Sequence, residues 1–313
     1  MQLLFIIDPP DTLKAYKDTT VSMMRAAQAR GHAVFLCEQA SLAWREGEVT
    51  AESRRISLAD NDEDWYRAHE RACRSLSSFD AVLMRKDPPF DLEYVTSTWL
   101  LSAAERSGAR VFNAPGAVRD HNEKLAIAEF PQFVAPTLVS RDPVQLHAFI
   151  DAHRAVVLKR LDVMGGENIF RVRADDPNRN VIVETMALGG DRSVMAQRYI
   201  PEIRDGDKRI LLIEGKPVPY CLARIPKPGE SRGNLAAGGR GIAQPLSPRD
   251  REIAQGLGTL LAGRGLLLVG LDVIGDWLTE INVTSPTCFR EIQDQTGFDV
   301  AAMFLEALET KLR

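Results

Sequence analysis

Apolar and polar positions alternate in blocks along the first 120 residues. Residues 3–7 form a short apolar run. Residues 19–30 then carry Val21, Met24 and Ala27 at helical spacing and stop at Gly31, and residues 33–37 are apolar again. Ala81-Val82-Leu83-Met84 predicts a buried strand that runs into the polar Arg85-Lys86-Asp87. Leu92, Val95, Trp99 and Ala103 keep helical spacing as far as Gly108, after which residues 109–113 resume strand character. Strands alternating with helices of this length predict an open parallel sheet covered by helices. Ligands of such sheets sit at the carboxyl ends of strands, and Arg85 stands at one of them.

From about His121 the pattern changes to mixed α+β. Strands are predicted over 156–159 and 169–172, joined by a turn at Gly165-Gly166, and again over 195–200, where Pro201 halts the run. Residues 210–213 and 217–222 flank Glu214-Gly215-Lys216 as a hairpin. Residues 249–263 are predicted as a helix with Ile253, Leu257 and Leu260 on one face. Strands over 266–274 and 278–283 and a helix over 300–312 close the chain.

Composition narrows the class. The chain has 313 residues, 45% of them hydrophobic and 26% charged, with a formal net charge of -4. At about 100–200 residues per domain this predicts roughly two domains with real cores. The balanced charge argues against a general nucleic-acid binder. No apolar stretch approaches the roughly 20 residues that span a bilayer. The apolar opening lacks a basic flank and meets Asp8-Pro9-Pro10 too soon for a signal peptide, so a cytoplasmic address is expected. Cys37, Cys73, Cys221 and Cys288 are scattered without a CxxC pair, as reduced cytosolic cysteines would be. P-loop, GxGxxG, GxSxG and HExxH motifs are all missing.

Candidate chemistry gathers around the segment from Gly270 to Asn282. Side chains alternate along a strand, so Glu280 and Asn282 share a face. With Asp272 they would form a hard oxygen cluster suited to Mg2+. The alternative is an ordinary solvated sheet face. Gly275-Asp276 resembles a two-residue hairpin loop, which would pair Asp272 with Thr279 and put it on the wrong face. A shared metal site therefore predicts a three-residue loop, Gly275-Asp276-Trp277, with Asp272 opposite Glu280. Lys124, Lys159 and Arg209 each flank an apolar segment and could hold phosphates. Gly165-Gly166 could cradle phosphate oxygens with backbone N–H groups or merely join two strands. Residues 227–241 hold five glycines together with Arg232 and Arg240, which favours a mobile loop closing over an anion over a plain linker.

Lys159, Gly165-Gly166, Asp207-Lys208-Arg209, Asp272 and Glu280-Ile281-Asn282 together resemble the ATP-grasp superfamily. More narrowly, MRKDPPFD at 84–91, YCLARIP at 220–226, RGNLAAGGRG at 232–241 and EINVTSPTC at 280–288 are similar to bacterial-type glutathione synthetase. The resemblance implies an N-terminal α/β substrate domain (a preATP-grasp domain, 1–122), an ATP-grasp lid (123–200) and a C-terminal ATP-grasp domain (201–313) with a mobile loop at 225–241. It implies ligation of γ-glutamylcysteine to glycine with ATP and two Mg2+ or Mn2+ ions, in a homo-oligomer, a tetramer. It further implies roles for single residues. ATP would meet Lys124, Lys159, Gly165, Gly166, the hinge Gln197, Arg198, Tyr199 and Ile200, and Asp207 at the ribose. The metal would meet Asp272, Glu280 and Asn282. Arg209 and Arg224 would lie near the transferred phosphate. The peptide substrate would lie along Arg85, Ser285, Pro286, Thr287, Arg232, Gly239 and Arg240. The small phosphate loop departs from the family pattern at Arg160 and Val163. A valine forced into a left-handed conformation there would cost about 1–2 kcal/mol.

Overall fold

A computed structural model describes residues 1–163, 168–227, 233 and 238–313. Three sheets are built among them. The first combines β1 (Gln2–Ile7), β2 (Ala33–Glu38), β3 (Leu42–Arg45), β4 (Glu48–Leu58), β5 (Tyr66–Ser75), β6 (Ala81–Met84) and β7 (Val111–Phe112). Its centre, β2-β1-β6-β7, is parallel as the alternating pattern predicts. β3, β4 and β5 extend it in antiparallel fashion, which the sequence pattern did not reveal. The reason is visible in β4. Val49, Ala51 and Ser53 face inward with period two, but the next inward residue is Ile56, because the pairing slips between Arg54 and Ile56. A bulge of this kind breaks the periodicity that marks a strand.

Helices α1 (Thr19–Ala29) and α2 (Leu92–Arg106) begin at the aspartates Asp18 and Asp91, whose side chains accept hydrogen bonds from Val21 N and Tyr94 N. The buried face of α2 differs from the one predicted. Leu92 and Trp99 are 69% and 52% exposed, while Tyr94, Ser97, Thr98, Leu101 and Ala104 face the core. Three of those five are small, which lets the helix lie close to the sheet. α3 (Pro115–Asp120) packs beside α2 and leads out of this unit.

The second sheet orders β8 (Thr137–Ser140), β9 (Ala155–Arg160), β10 (Ile169–Arg173) and β11 (Val194–Arg198) as β10-β9-β11-β8, all antiparallel. Val156, Leu158, Val194 and Ala196 form a core with residues of α4 (Pro143–His153) and α5 (Arg179–Ala187). The alternate positions Lys159 and Gln197 therefore face the other way.

β12 (Asp207–Ile213), β13 (Lys216–Ile225), β14 (Arg240–Pro245), β15 (Leu268–Ile274) and β16 (Trp277–Asn282) make the third sheet, in the order β14-β13-β12-β15-β16. α6 (Pro248–Gly263), α7 (Phe289–Thr296) and α8 (Val300–Leu312) pack around it. The β12–β13 turn uses Glu214 and Gly215 with φ of 50 and 70. Gly215 also lies so close to Gly258 of α6 that a Cβ would stand 2.5 Å from its carbonyl oxygen, so only glycine fits. Asn113, past the end of β7, donates to Leu268 O and Val283 O and accepts from Leu268 N. That buried amide fixes the carboxyl ends of the first sheet against the third.

Candidate active site

The third sheet presents one polar face. Arg209 pairs with Asp272, Asp272 with Glu280, Asp207 with Arg224, and Gly270 with Asn282. Cross-strand partners share a face, so all six charged or amide side chains point the same way. The pairing of Asp272 with Glu280 is the one that a shared site requires, but the predicted three-residue loop is not how it arises. Ile274 pairs with Trp277 across a two-residue turn, and a bulge after Asp272 leaves Thr279 as the extra residue. The Thr279 hydroxyl donates to Asp272 O at 3.1 Å and closes the bulge. The register shift, and not the loop length, brings the two carboxylates to one face.

Basic partners that the sequence spacing hid reach this face from neighbouring strands. Arg209 donates to both oxygens of Asp272, at 2.6 and 3.1 Å. Arg224 lies 3.0 Å from Asp272 Oδ2 and 2.5 Å from Asp207 Oδ2. Burial pushes the Asp272 carboxyl up, but the two guanidiniums outweigh it and hold the group well below the usual carboxylate range. For Asp207, burial, with Asp272 and Glu280 close by, outweighs its direct pairing with Arg224 and the weaker pull of Arg209, and pushes its carboxyl up to about 6. Asn282 Nδ2 donates to Asp272 Oδ2 at 3.3 Å. At Gly270 a Cβ would stand 3.0 Å from Arg209 Cδ and 3.2 Å from Pro286 Cβ, so glycine there makes room for the arginine.

Lysines approach from the opposite side. Lys124 is buried and donates to Glu123 Oε1 at 2.6 Å and to Val163 O at 2.7 Å, with Glu280 Oε1 at 3.7 Å. Burial lowers its affinity for a proton, yet Glu280 and Glu123 more than restore it. Lys159 Nζ donates to Gln197 Oε1 at 3.3 Å, and Gln197 in turn donates to Thr137. Burial pulls the Lys159 ammonium below its ordinary range. Arg198 lies over the Trp277 ring, and Arg171 over the Tyr199 ring at 3.8 Å. Ile200 is buried where the chain leaves β11.

The peptide-side candidates form a neighbouring cluster. Arg85 donates to Thr20 Oγ1 and to Pro286 O, and Ser285 Oγ donates to Asp87 Oδ1. Thr287 is exposed beside them. Gly239 and the exposed Arg240 lie where β14 begins, and Gly233 approaches Arg224 and Asp207 closely. Gly165, Gly166 and Arg232 lie outside the described residues, as does most of the 225–241 loop. The doubtful small-loop residues carry no left-handed strain. Val163 is not among the residues with positive φ, and Arg160 pairs bidentately with Asp162 at 2.9 and 2.6 Å. Glu123 was missed by sequence reasoning, although it directly precedes Lys124.

The arrangement fits a nucleotide and a divalent cation. Hard oxygen donors share a face with two arginines, two lysines oppose them, and Asp207 Oδ1 is buried without a hydrogen-bond partner. Residues 1–119 match the family described as "Prokaryotic glutathione synthetase, N-terminal domain", and residues 123–297 match "Prokaryotic glutathione synthetase, ATP-grasp domain". The chain belongs to the prokaryotic glutathione synthetase family. Members of this family use ATP with a divalent metal. A glutathione synthetase of Ralstonia nicotianae is 60% identical over 99% of this chain and 95% of that protein. One of Bordetella pertussis is 58% identical over 99% of both chains, and one of Pseudomonas aeruginosa is 51% identical over 100% and 98%. In fold, the crystal structure of the D-cycloserine synthetase DcsG matches over 100% of both chains with a TM-score of 0.70 at 16% identity.

Asp207 offers a test by pH. Its carboxyl is raised from an ordinary 3.8 to about 6, so the folded state holds the proton more tightly than the unfolded chain. That contribution to stability is complete below the ordinary value and is lost as pH rises towards the folded one. Asp207→Asn cannot ionise. Its Tm should fall less than that of wild type between pH 4 and pH 6.5, and parallel Tm profiles would contradict the assignment.

Proposed function

We propose that this chain joins γ-glutamylcysteine to glycine with ATP, through an acyl phosphate, to give glutathione, ADP and phosphate. Convergence carries the proposal. Arg209, Arg224, Asp272, Glu280 and Asn282 occupy one sheet face opposite Lys124 and Lys159, and Arg85 is tied by a hydrogen bond to Pro286 O in the turn that follows β16. Membership of the glutathione synthetase family supports the choice of substrates.

A carboxylate is a poor electrophile. The cysteinyl carboxylate attacks the γ-phosphorus of ATP, ADP leaves, and an acyl phosphate forms. Glycine's amine then attacks the acyl carbon, and phosphate leaves as the amide closes. Little covalent work falls to the protein, whose tasks are alignment, charge neutralisation and exclusion of water. Lys124 and Lys159 would hold phosphate oxygens, and Asp207 would accept from a ribose hydroxyl. Arg209 and Arg224 would exchange part of their bonding to Asp272 for the transferred phosphoryl group. Asp272, Glu280 and Asn282 would hold Mg2+ or Mn2+, two ions in all, which supply positive charge along the triphosphate. The hinge Gln197, Arg198, Tyr199 and Ile200 would receive adenine. Arg85, Ser285, Pro286, Thr287, Gly239 and Arg240 would line the dipeptide, with Gly165, Gly166 and Arg232 completing the loops. The proposal extends to a cytoplasmic homo-tetramer. No helix of the described residues is long and apolar enough to cross a membrane.

ADP release with ATP, Mg2+ and a panel of dipeptide–amino-acid pairs tests the proposal. The pair γ-glutamylcysteine and glycine should give the fastest stoichiometric release of ADP and glutathione. Faster turnover of a different pair would make the chain another ATP-grasp ligase.

A further inference from the structure

Lys124, expected to hold phosphate, is already held by the protein. Its ammonium contacts Glu123 Oε1 at 2.6 Å, Val163 O at 2.7 Å and Glu280 Oε1 at 3.7 Å. Glu123 is itself firmly placed, because its carbonyl accepts from Ile281 N at 2.8 Å, between Glu280 and Asn282 on β16. The preceding Asn122 fixes the same segment, donating to Leu161 O and accepting from the backbone N–H groups of Lys124 and Leu125. The Asn122-Glu123-Lys124 segment thus ties the turn after β9 to the edge of the third sheet. Glu123 also sets a third carboxylate near Glu280 and Asp272, with most of its side chain withdrawn from water.

We propose that Glu123 is a positioning residue for Lys124 that makes phosphate binding depend on a divalent cation. It rests on the nucleotide site proposed above. Without a cation, three carboxylates repel a polyphosphate, and Lys124 stays on its nearest anion, Glu123. With a cation bound at Asp272, Glu280 and Asn282, the local negative charge falls and the lysine can turn from Glu123 to a phosphate oxygen. Glu123 needs no contact with the nucleotide for this.

Calorimetric titration tests the role without turnover, using ADP and adenosine on wild type and on Glu123→Gln, each with EDTA and with saturating Mg2+. The glutamine keeps the shape and a hydrogen-bond acceptor but drops the charge. Glu123→Gln should bind ADP about 3–10-fold tighter than wild type in EDTA, the scale expected from removing one partly solvent-screened charge. In Mg2+ that advantage should vanish or reverse. Adenosine, lacking phosphate, should bind both proteins equally under both conditions. Glu123→Asp keeps the charge and should retain the wild-type dependence on Mg2+, which serves as the check if the glutamine variant folds poorly. Equal or weaker binding of ADP by Glu123→Gln in EDTA would overturn the role of Glu123. An equal change for adenosine would overturn it too, because it would mark a general structural defect. Failure of wild type to bind either ligand would overturn the nucleotide site itself.

Discussion

Glu280→Gln should abolish most turnover while leaving the protein folded. The substitution keeps size and shape but removes a negative charge from the oxygen face that Asp272 and Asn282 share. Partners one shell further from a metal already cost about 10–100-fold when changed, so loss of a charged ligand should exceed about 100-fold in kcat. Stability should barely respond. Among the described residues the cation paired with Glu280 is Lys124 at 3.7 Å, and Lys124 keeps Glu123 and Val163 O as partners. Steady-state kinetics and thermal melting on one preparation check both halves. Activity within a few-fold of wild type would show that the metal is not held there.

Asp272→Asn should behave differently, although it sits directly opposite. Arg209 makes two hydrogen bonds to Asp272, and Arg224 makes one more ion pair with it, all of them buried. Breaking a buried pair by removing one partner leaves an uncompensated charge and costs about 3–5 kcal/mol. Arg224 still has Asp207, so the loss should fall near the lower end, about 3 kcal/mol. Urea unfolding of Asp272→Asn should therefore show a midpoint well below that of Glu280→Gln, with activity lost in both. Equal midpoints would mean that the arginines find other partners. Stability should also fall in acid, because a carboxyl held below its ordinary range stabilises above that range and ceases to do so as it is protonated.

This contrast was not legible in the sequence. Alternation along a strand put Glu280 and Asn282 together, and the demand for a shared site put Asp272 opposite Glu280. The device that achieves this, the bulge at Thr279, leaves no trace in a hydrophobic pattern because Thr279 is itself buried and β-branched. The arginines arrive through pairings of β12 with β13 and β15, and such long-range register is not written in local spacing. The central parallel strands of the first sheet were plain because each is almost wholly apolar. β5 was not. Residues 67–71 are all exposed, so the strand has no buried face to pattern. On α2 the helix was predicted but its phase was not, since Leu92 and Trp99 outweigh the smaller Ser97, Thr98 and Ala104 in any reading by hydrophobicity.

Transfer of isotope tests the central claim, an acyl phosphate formed at this face, most directly. γ-Glutamylcysteine carrying 18O in its cysteinyl carboxylate would be converted with glycine, ATP and Mg2+, and the released phosphate analysed by mass. The attacking carboxylate oxygen becomes the bridge to phosphorus and stays on phosphorus when the amine displaces the phosphate. Each phosphate should therefore carry one 18O, matched one to one with glutathione and ADP. Glutathione formed with unlabelled phosphate, or with AMP and pyrophosphate in place of ADP, would contradict it.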